Sequence, residues 1–262
     1  MALIFLVSGA MVIRQQLQYQ QIASDSAEAA RIAGLPERMD LRPKSEAPIQ
    51  TSAPENLHPL PEEAAALATV DLAALKEVNG DVLGWISIPG TELSYPLLQS
   101  GDNQYYLRRS WRGYSNDGGA IFMESTNQPD LSDFHTIIYG HRMLNDTMFG
   151  TLKYFRQPDF WKEHPCIYIV TADGLYEYDI FSAYEAGVRS LLYRLDLVES
   201  NLQGEFLQFC QSSSTIDTGV IPTEGDQILT LSTCTGSGHA KRWVVQAVLW
   251  DFWPAEELSL GQ

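Results

Sequence analysis

Eight short runs of apolar, β-branched and aromatic residues constrain the fold of this chain more than any other feature of its sequence. Such runs are typical of strands, and the Asp173-Gly174 pair between two of them favours a hairpin. Eight strands separated by the turn-forming pairs Pro-Gly, Asp-Gly and Gly-Gly predict a mainly β fold, either a barrel or a sandwich, rather than a βαβ fold. The predicted strands span residues 84–88, 94–98, 120–123, 136–140, 166–170, 175–184, 227–233 and 243–250.

Helical patterns interrupt these strands. Asp71 can cap a helix that Asn79 and Gly80 end. Ser200 and Gln203 form a capping-box pattern ahead of spaced apolar residues, which predicts a packing helix between the sixth and seventh strands. Two shorter helices are expected after residues 146 and 157.

The N-terminus begins with an uncharged apolar run, residues 2–13, which ends at Arg14. Its twelve residues fall short of the roughly 20 that span a bilayer, so a buried helix or strand is one interpretation. Its position before a polar segment favours the other interpretation, the end of a signal-anchor. Six of the thirteen prolines then fall between residues 35 and 61, which predicts an extended linker.

Charge and cysteine content narrow the possible functions. The net charge of −16, with no cluster of Lys and Arg, argues against a nucleic-acid partner. The three cysteines show neither a CxxC pair nor the His/Cys spacing of a zinc site, so no metal is expected. Cys166 and Cys210 lie in apolar contexts and are interpreted as small core residues. Cys234 differs because it ends a strand and enters a polar, Gly-rich loop.

A strand end can hold a thiol rigidly and leave it open to a substrate, so Cys234 is a candidate nucleophile. Its partner would be a histidine. His141 ends the strand TIIYGH, where Gly140 would let the backbone turn, and it is favoured over His239 in the nearby loop. On spacing alone, His239 or no histidine at all also stays possible.

The other candidates are weaker. His58 and His164 are expected to be solvated, and His135 is expected to be exposed. Arg242 begins the next strand, where a surface charge is the usual interpretation. If Cys234 is a nucleophile, however, the Arg242 guanidinium could stabilise an oxyanion or hold a substrate carbonyl.

These motifs together resemble the sortases, the cysteine transpeptidases on the surface of Gram-positive bacteria. The resemblance is carried by LSTC, followed shortly by Arg and VV, and by YGH upstream. GWISIPGT, YPLLQ, DNQYYL, GAIFM and TIIYGHRM stand in the order of the family's early strands. The N-terminal helices and the helix inserted before the seventh strand resemble class B. A closed eight-stranded sortase-type β-barrel is therefore implied.

The resemblance also implies roles for individual residues. Cys234 matches the family's nucleophile, His141 its acid/base and Arg242 its oxyanion-stabilising arginine, which demotes His239. Tyr139, Ser232 and Thr233 match positions that line the sorting-signal groove.

The implied activity is cleavage of a C-terminal sorting signal after Thr, and transfer of the surface protein to a peptidoglycan precursor amine, with no cofactor. A peptidase that only hydrolyses and a non-catalytic module that binds wall peptides stay as alternatives. The expected organisation is a partial signal-anchor at 1–13, an extracellular linker at 14–60 and a catalytic domain at 61–262. The chain would then be a single-pass protein of the cell membrane with its catalytic domain outside.

Overall fold

The chain folds into a closed barrel of eight strands with helices packed around it, as the sequence predicts. The computed structural model describes residues 2–35, 60–234 and 240–260. The strands are β1 (Val82–Ser87), β2 (Ser94–Leu98), β3 (Ile121–Met123), β4 (His135–Tyr139), β5 (Cys166–Thr171), β6 (Gly174–Gly187), β7 (Ile228–Cys234) and β8 (Lys241–Pro254).

The strand order around the barrel is β1-β2-β3-β4-β7-β8-β6-β5, and pairing between β5 and β1 closes it. Two neighbouring pairs are parallel, β2 with β3 and β4 with β7, and the other pairs are antiparallel. Because β4 and β7 run in the same direction, their carboxyl ends emerge at the same rim of the barrel. The antiparallel strand β8 begins at that rim as well.

Alternate residues of the strands fill two separate apolar layers. In β5, Ile167 and Ile169 belong to the central cluster, whereas Tyr168 and Val170 pack in a second cluster with the N-terminal helices. All six residues of this strand are buried, which explains its continuous apolar sequence. A third cluster forms where the inserted helix covers Phe181.

Six α-helices surround the barrel in the described part of the chain. They are α1 (Ala2–Ile32), α2 (Glu62–Ala65), α3 (Leu72–Val78), α4 (Pro158–Glu163), α5 (Ser200–Ser213) and α6 (Ala255–Leu260). Short 3₁₀ turns lie at Leu67–Thr69, Tyr105–Arg108, Gly150–Arg156 and Leu191–Tyr193.

The helix signals are confirmed in position, and one capping prediction is wrong. The Asp71 carboxylate caps α3 by accepting from the Ala74 amide at 2.9 Å. Helix α5 lies between β6 and β7 as predicted, but Ser200 is its first residue and Glu199 is its N-cap, with no side-chain cap hydrogen bond. The side-chain amide of Gln203 instead donates to the Leu197 carbonyl at 3.0 Å, before the start of the helix.

Helix α1 contains the N-terminal apolar run and continues through the polar segment to Ile32. The predicted boundary between residues 13 and 14 falls inside this helix, and residues 36–59 of the predicted linker lie outside the described residues. Ile22, Ala29 and Ala33 are buried against the barrel and its helices.

None of the helices in the described ranges combines the length and the apolarity that a bilayer crossing requires. This finding corrects the predicted single-pass anchor and, with it, the predicted membrane localisation.

The interpretation of two cysteines as core residues is confirmed. Cys166 and Cys210 are buried thiols in different clusters, and burial raises the pKa of the Cys210 thiol to about 11. A thiol with so high a pKa is a poor nucleophile near neutral pH.

The predictions for two histidines are wrong. His164 is buried, and its Nδ1 lies 2.7 Å from the Pro89 carbonyl. His135 is only 2% exposed, because Phe206 of α5 packs against its ring, with 4.6 Å between the ring centroids. Its Nε2 lies 2.8 Å from Thr230 Oγ1, and its Nδ1 lies 3.2 Å from the Arg194 carbonyl. His58 lies outside the described residues.

The buried His135 predicts a loss of stability in acid. Burial lowers its pKa to about 4, outweighing the Arg194 carbonyl and Asp133, which act in the opposite direction. Since the unfolded histidine titrates near its ordinary pKa, the unfolded chain takes up this proton first as the pH falls. We expect His135 to lower the free energy of unfolding by about 1.5 kcal/mol between about pH 6.5 and pH 5.

Urea unfolding of the wild type and of His135→Gln at both pH values measures this effect. The substitution should reduce the pH dependence of the unfolding free energy by that amount. An equal pH dependence in the two proteins would show that His135 titrates normally in the fold.

Candidate active site

The strand register brings the predicted nucleophile, histidine and arginine to one rim of the barrel. In the parallel pair, Tyr139 lies opposite Ser232, so continuing that register by two residues aligns His141 with Cys234. In the antiparallel pair, Cys234 lies opposite Arg242. The side chain of Cys234 and all of His239 lie outside the described residues, so the backbone register carries the position of the nucleophile.

The ring of His141 is held by a backbone carbonyl. Its Nε2 lies 2.6 Å from the carbonyl oxygen of Leu107, in the 3₁₀ turn that precedes β3. Because a carbonyl oxygen can only accept, Nε2 must carry the hydrogen in this contact. In the neutral ring, Nδ1 is then the nitrogen with a lone pair for proton exchange.

Two glycines make room around this histidine. A Cβ on Gly140 would lie 2.5 Å from Ile121 Cδ1 and 2.8 Å from Phe149, so Gly140 is required by packing. This is a different reason from the backbone turn that the sequence predicts. Gly119 has a φ of +62°, and a Cβ there would lie 2.6 Å from the Tyr106 carbonyl oxygen and 3.0 Å from Cδ2 of His141.

A groove with a volume of about 240 Å³ passes His141 and Arg242. Its lining includes all three residues predicted to bind substrate, Tyr139, Ser232 and Thr233. Gly140, beside His141, lines the groove as well. The other lining residues were not identified from the sequence, because they come from segments distant in the chain: Asn103, Leu107, Phe122, Val188 and Tyr193.

The wall of the groove at Tyr139 is fixed by a carboxylate. The Tyr139 hydroxyl donates to Glu124 Oε2 at 2.9 Å, and Asn103 Nδ2 donates to Glu124 Oε1 at 2.6 Å. Burial and the negative charge of Glu124 raise the pKa of Tyr139, while the charge of Arg242 acts in the opposite direction. Tyr139 therefore stays protonated and serves as a fixed wall.

The Glu124 carboxylate is ionised despite its burial. Burial alone would raise its pKa, but hydrogen bonds from Asn103, Tyr139 and Thr126 together hold the pKa below its usual value. Glu124 directly follows the third predicted strand, and its position after GAIFM is the one sequence feature that could have identified it.

The two β7 residues in the groove differ in their contacts. The hydroxyls of Ser232 and Tyr193 lie 2.9 Å apart, which ties the segment after β6 to the groove. Thr233 is only 2% exposed, and its hydroxyl has no hydrogen-bond partner among the described residues. Ser232 is thus fixed by Tyr193, whereas the Thr233 hydroxyl is a buried polar group at the edge of the groove.

Arg242 supplies a permanent positive charge at this rim. Its Nη1 donates to the Lys241 carbonyl at 3.0 Å, and its guanidinium is close enough to affect the pKa of Tyr139. The site therefore combines a strand-end cysteine, an oriented histidine and a fixed cation. This combination suits acyl transfer through a thioester.

Comparison with known proteins places most of the barrel in one family. A family model described as the sortase domain matches residues 86–250. Sortase B of Listeria monocytogenes is 34% identical over 181 residues, which are 68% of this chain and 74% of the relative. Sortase B of Staphylococcus aureus is 34% identical over 176 residues, or 66% and 72% of the two chains.

Solved structures give the same result. A sortase B–substrate complex from S. aureus aligns with a TM-score of 0.65 at 33% identity, covering 68% of this chain and 84% of that one. Sortase B from B. anthracis aligns with a TM-score of 0.69 at 30% identity, covering 89% and 98% of the two chains.

Proposed function

This chain belongs to the sortase family as a class B cysteine transpeptidase, and from that premise we propose which bond it cleaves and which residues act. It cleaves a C-terminal sorting signal after a threonine, holds the surface protein as a thioester on Cys234, and transfers it to an amine of a peptidoglycan precursor. Residues 61–262 form the catalytic domain in this proposal.

One observation carries the proposal: the strand register at the shared rim of β4, β7 and β8. It aligns His141 and Arg242 with Cys234 from two neighbouring strands. Because Cys234 and Arg242 lie on paired strands and His141 follows the end of β4 by two residues, the barrel itself supports a fixed geometry.

In the first half-reaction, the Cys234 thiolate attacks the carbonyl carbon of the threonine and forms a tetrahedral intermediate. The C–N bond then breaks, and the leaving amine takes a proton from the His141 imidazolium. The Leu107 contact holds the Nε2 hydrogen, so Nδ1 is the nitrogen that delivers the proton. A thioester to Cys234 remains.

The second half-reaction runs in reverse order with a different amine. The acceptor amine attacks the thioester carbonyl, His141 Nδ1 takes its proton, and the C–S bond breaks to release the Cys234 thiolate. In both halves the negative charge on the carbonyl oxygen lies near the Arg242 guanidinium, which stabilises it.

The groove residues support recognition of an extended peptide. Tyr139, Ser232 and Thr233 lie along the groove beside the proposed nucleophile. The S. aureus relative has been solved as a complex with its substrate, which supports the same groove as the peptide site here.

The experiment is a peptide-library cleavage assay in the presence of a panel of amines. With amine in millimolar excess, aminolysis of the acyl-enzyme should exceed hydrolysis by about tenfold, because a positioned amine outcompetes water. Mass spectrometry of the products measures the ratio. Products of hydrolysis alone, with every amine tested, would favour the peptidase alternative. A library left uncut and a Cys234 thiol inert to a mild alkylating reagent would favour a binding module.

A further inference from the structure

The loop of residues 107–119, here called the bracket loop, lies between α1 and His141. Both ends of this loop lie near the histidine: the Leu107 carbonyl accepts from Nε2, and a Cβ on Gly119 would lie 3.0 Å from Cδ2 of the ring. A displacement of the bracket loop therefore changes the orientation of the ring directly.

The two ends of the bracket loop are linked to each other through Asn116. Its amide donates to the Arg108 carbonyl at 3.0 Å, and the Gly119 amide donates to the Asn116 carbonyl at 3.1 Å. The Asn116 side-chain oxygen also accepts from the Gly118 amide at 2.9 Å. Asn116 is thus the residue through which both contacts with His141 would move together.

Helix α1 holds this same part of the loop. The Asp25 carboxylate accepts from Asn116 Nδ2 at 3.1 Å, and the Asp25 carbonyl accepts from Trp111 Nε1 at 2.9 Å. Asn116 and Trp111 are 7% and 4% exposed, so these hydrogen bonds are largely protected from water. Such buried bonds are more costly to break than exposed ones.

Apolar packing adds to the hydrogen bonds. Ile22 of α1 is 3% exposed and packs so closely on Gly118 that a Cβ there would lie 2.5 Å from Ile22 Cδ1. At the edge of the contact between α1 and the bracket loop, Arg112 pairs with Glu28 at 2.6 Å. Both side chains are about a third exposed, so this pair adds little to the stability of the contact.

We propose that α1 is a positioning element for His141, with Ile22 and Asp25 holding the bracket loop so that Leu107 and Gly119 fix the ring. The inference rests on the proposed role of His141 as acid/base. The described contacts of α1 lead to His141 through the bracket loop, so α1 acts through the loop. The residues concerned are positioning residues.

Two substitutions test the inference from the two sides of the contact. Asp25→Ala removes the bond to Asn116, and Gly118→Ala forces a Cβ against Ile22. Each should lower kcat by about tenfold and leave KM within about twofold, because misplacement of the base affects the chemical step more than peptide binding. Gln15→Ala is the matched control, since it removes an exposed side chain that bonds to Tyr19 within α1.

A double-substitution cycle separates positioning from general damage. In the background of Ile22→Ala, the added Cβ of Gly118→Ala meets no Cδ1 or Cγ1 atom. The Gly118→Ala change should therefore lower kcat clearly less in that background than in the wild type. An equal cost in both backgrounds would contradict the proposed contact.

Nitrogen-15 NMR of labelled histidine provides a readout that does not depend on activity. In a Cys234→Ala background, which removes the coupled thiol, and at about pH 8, His141 should be the Nε2-protonated tautomer with and without Gln15→Ala. Asp25→Ala and Gly118→Ala should reduce the fraction of this tautomer. The missing signals of His141→Ala assign the resonances.

Failure of the positioning role of α1 and failure of the proposed function would give different results. Unchanged tautomer and unchanged kcat in both variants would overturn the positioning role. A changed tautomer with unchanged kcat would overturn it too, and would imply that ring orientation does not limit turnover. Full activity in His141→Ala would instead refute the proposed function, whatever the tautomer does.

Discussion

Cys234→Ala is expected to abolish transpeptidation, lowering kcat/KM by at least about 10⁴-fold. Without the thiol no thioester can form, and the hydroxyls of Ser232 and Thr233 at this rim are much weaker nucleophiles near neutral pH than a thiolate. The measurement is cleavage of the best peptide found in the library, with and without amine, at enzyme concentrations high enough to detect slow turnover.

Cys166→Ala is the matched control for this substitution. It makes the same chemical change at a buried thiol of the second cluster, away from the groove. Its activity per folded molecule should stay within about twofold of the wild type, although its stability will fall. Retained cleavage by Cys234→Ala would show that the nucleophile has been assigned wrongly.

His141→Ala is expected to lower kcat by about 10³-fold, because both half-reactions need proton transfer at the reacting amine. His239→Ala is the comparison that gives this result its meaning. It removes the other histidine near Cys234 in sequence, and it should leave kcat within about threefold, since the proposed mechanism gives this residue no part in the chemical step.

The same assay with both variants decides between the two histidines. An active His141→Ala together with an inactive His239→Ala would reverse the assignment. The pH profile alone could not do so, because a coupled cysteine and histidine titrate jointly.

The strands of this barrel were predictable because their information is local. Alternating or continuous runs of β-branched and aromatic residues, and pairs such as Asp173-Gly174, act over a few residues. Their order around the barrel is not local: the pairing of β4 with β7 joins segments separated by α5 and two long strands. The register of that pair, continued by two residues, aligns His141 with Cys234, a partnership that the strand-end positions favoured and the family resemblance implied.

In the candidate active site too, the residues with a local sequence signal were predictable and those placed by long-range contacts were not. The predicted catalytic residues stand in recognisable motifs, YGH and LSTC, at strand ends. Leu107 could not be predicted as the partner of His141, because any residue supplies a carbonyl and only the path of the loop brings this one within 2.6 Å. Glu124 was missed because its role depends on donors from Asn103 and Tyr139.

Burial also overrode two local interpretations. His135 and His164 stand in polar sequence contexts, yet both are covered by elements distant in the chain and find carbonyl or hydroxyl partners there. The predicted single-pass anchor fails for a different reason: none of the helices in the described ranges has the length and apolarity of a bilayer crossing.

The central claim is that the reaction passes through a thioester at Cys234, and intact-mass analysis of the enzyme tests it most directly. Wild-type protein mixed with the best-cleaved peptide, without amine, should gain the mass of the peptide's N-terminal fragment, and the adduct should map to the segment that contains Cys234. Addition of amine should remove it, and Cys234→Ala should gain no mass. An adduct on another residue, or turnover by the wild type without any adduct under rapid acid quenching, would contradict the account.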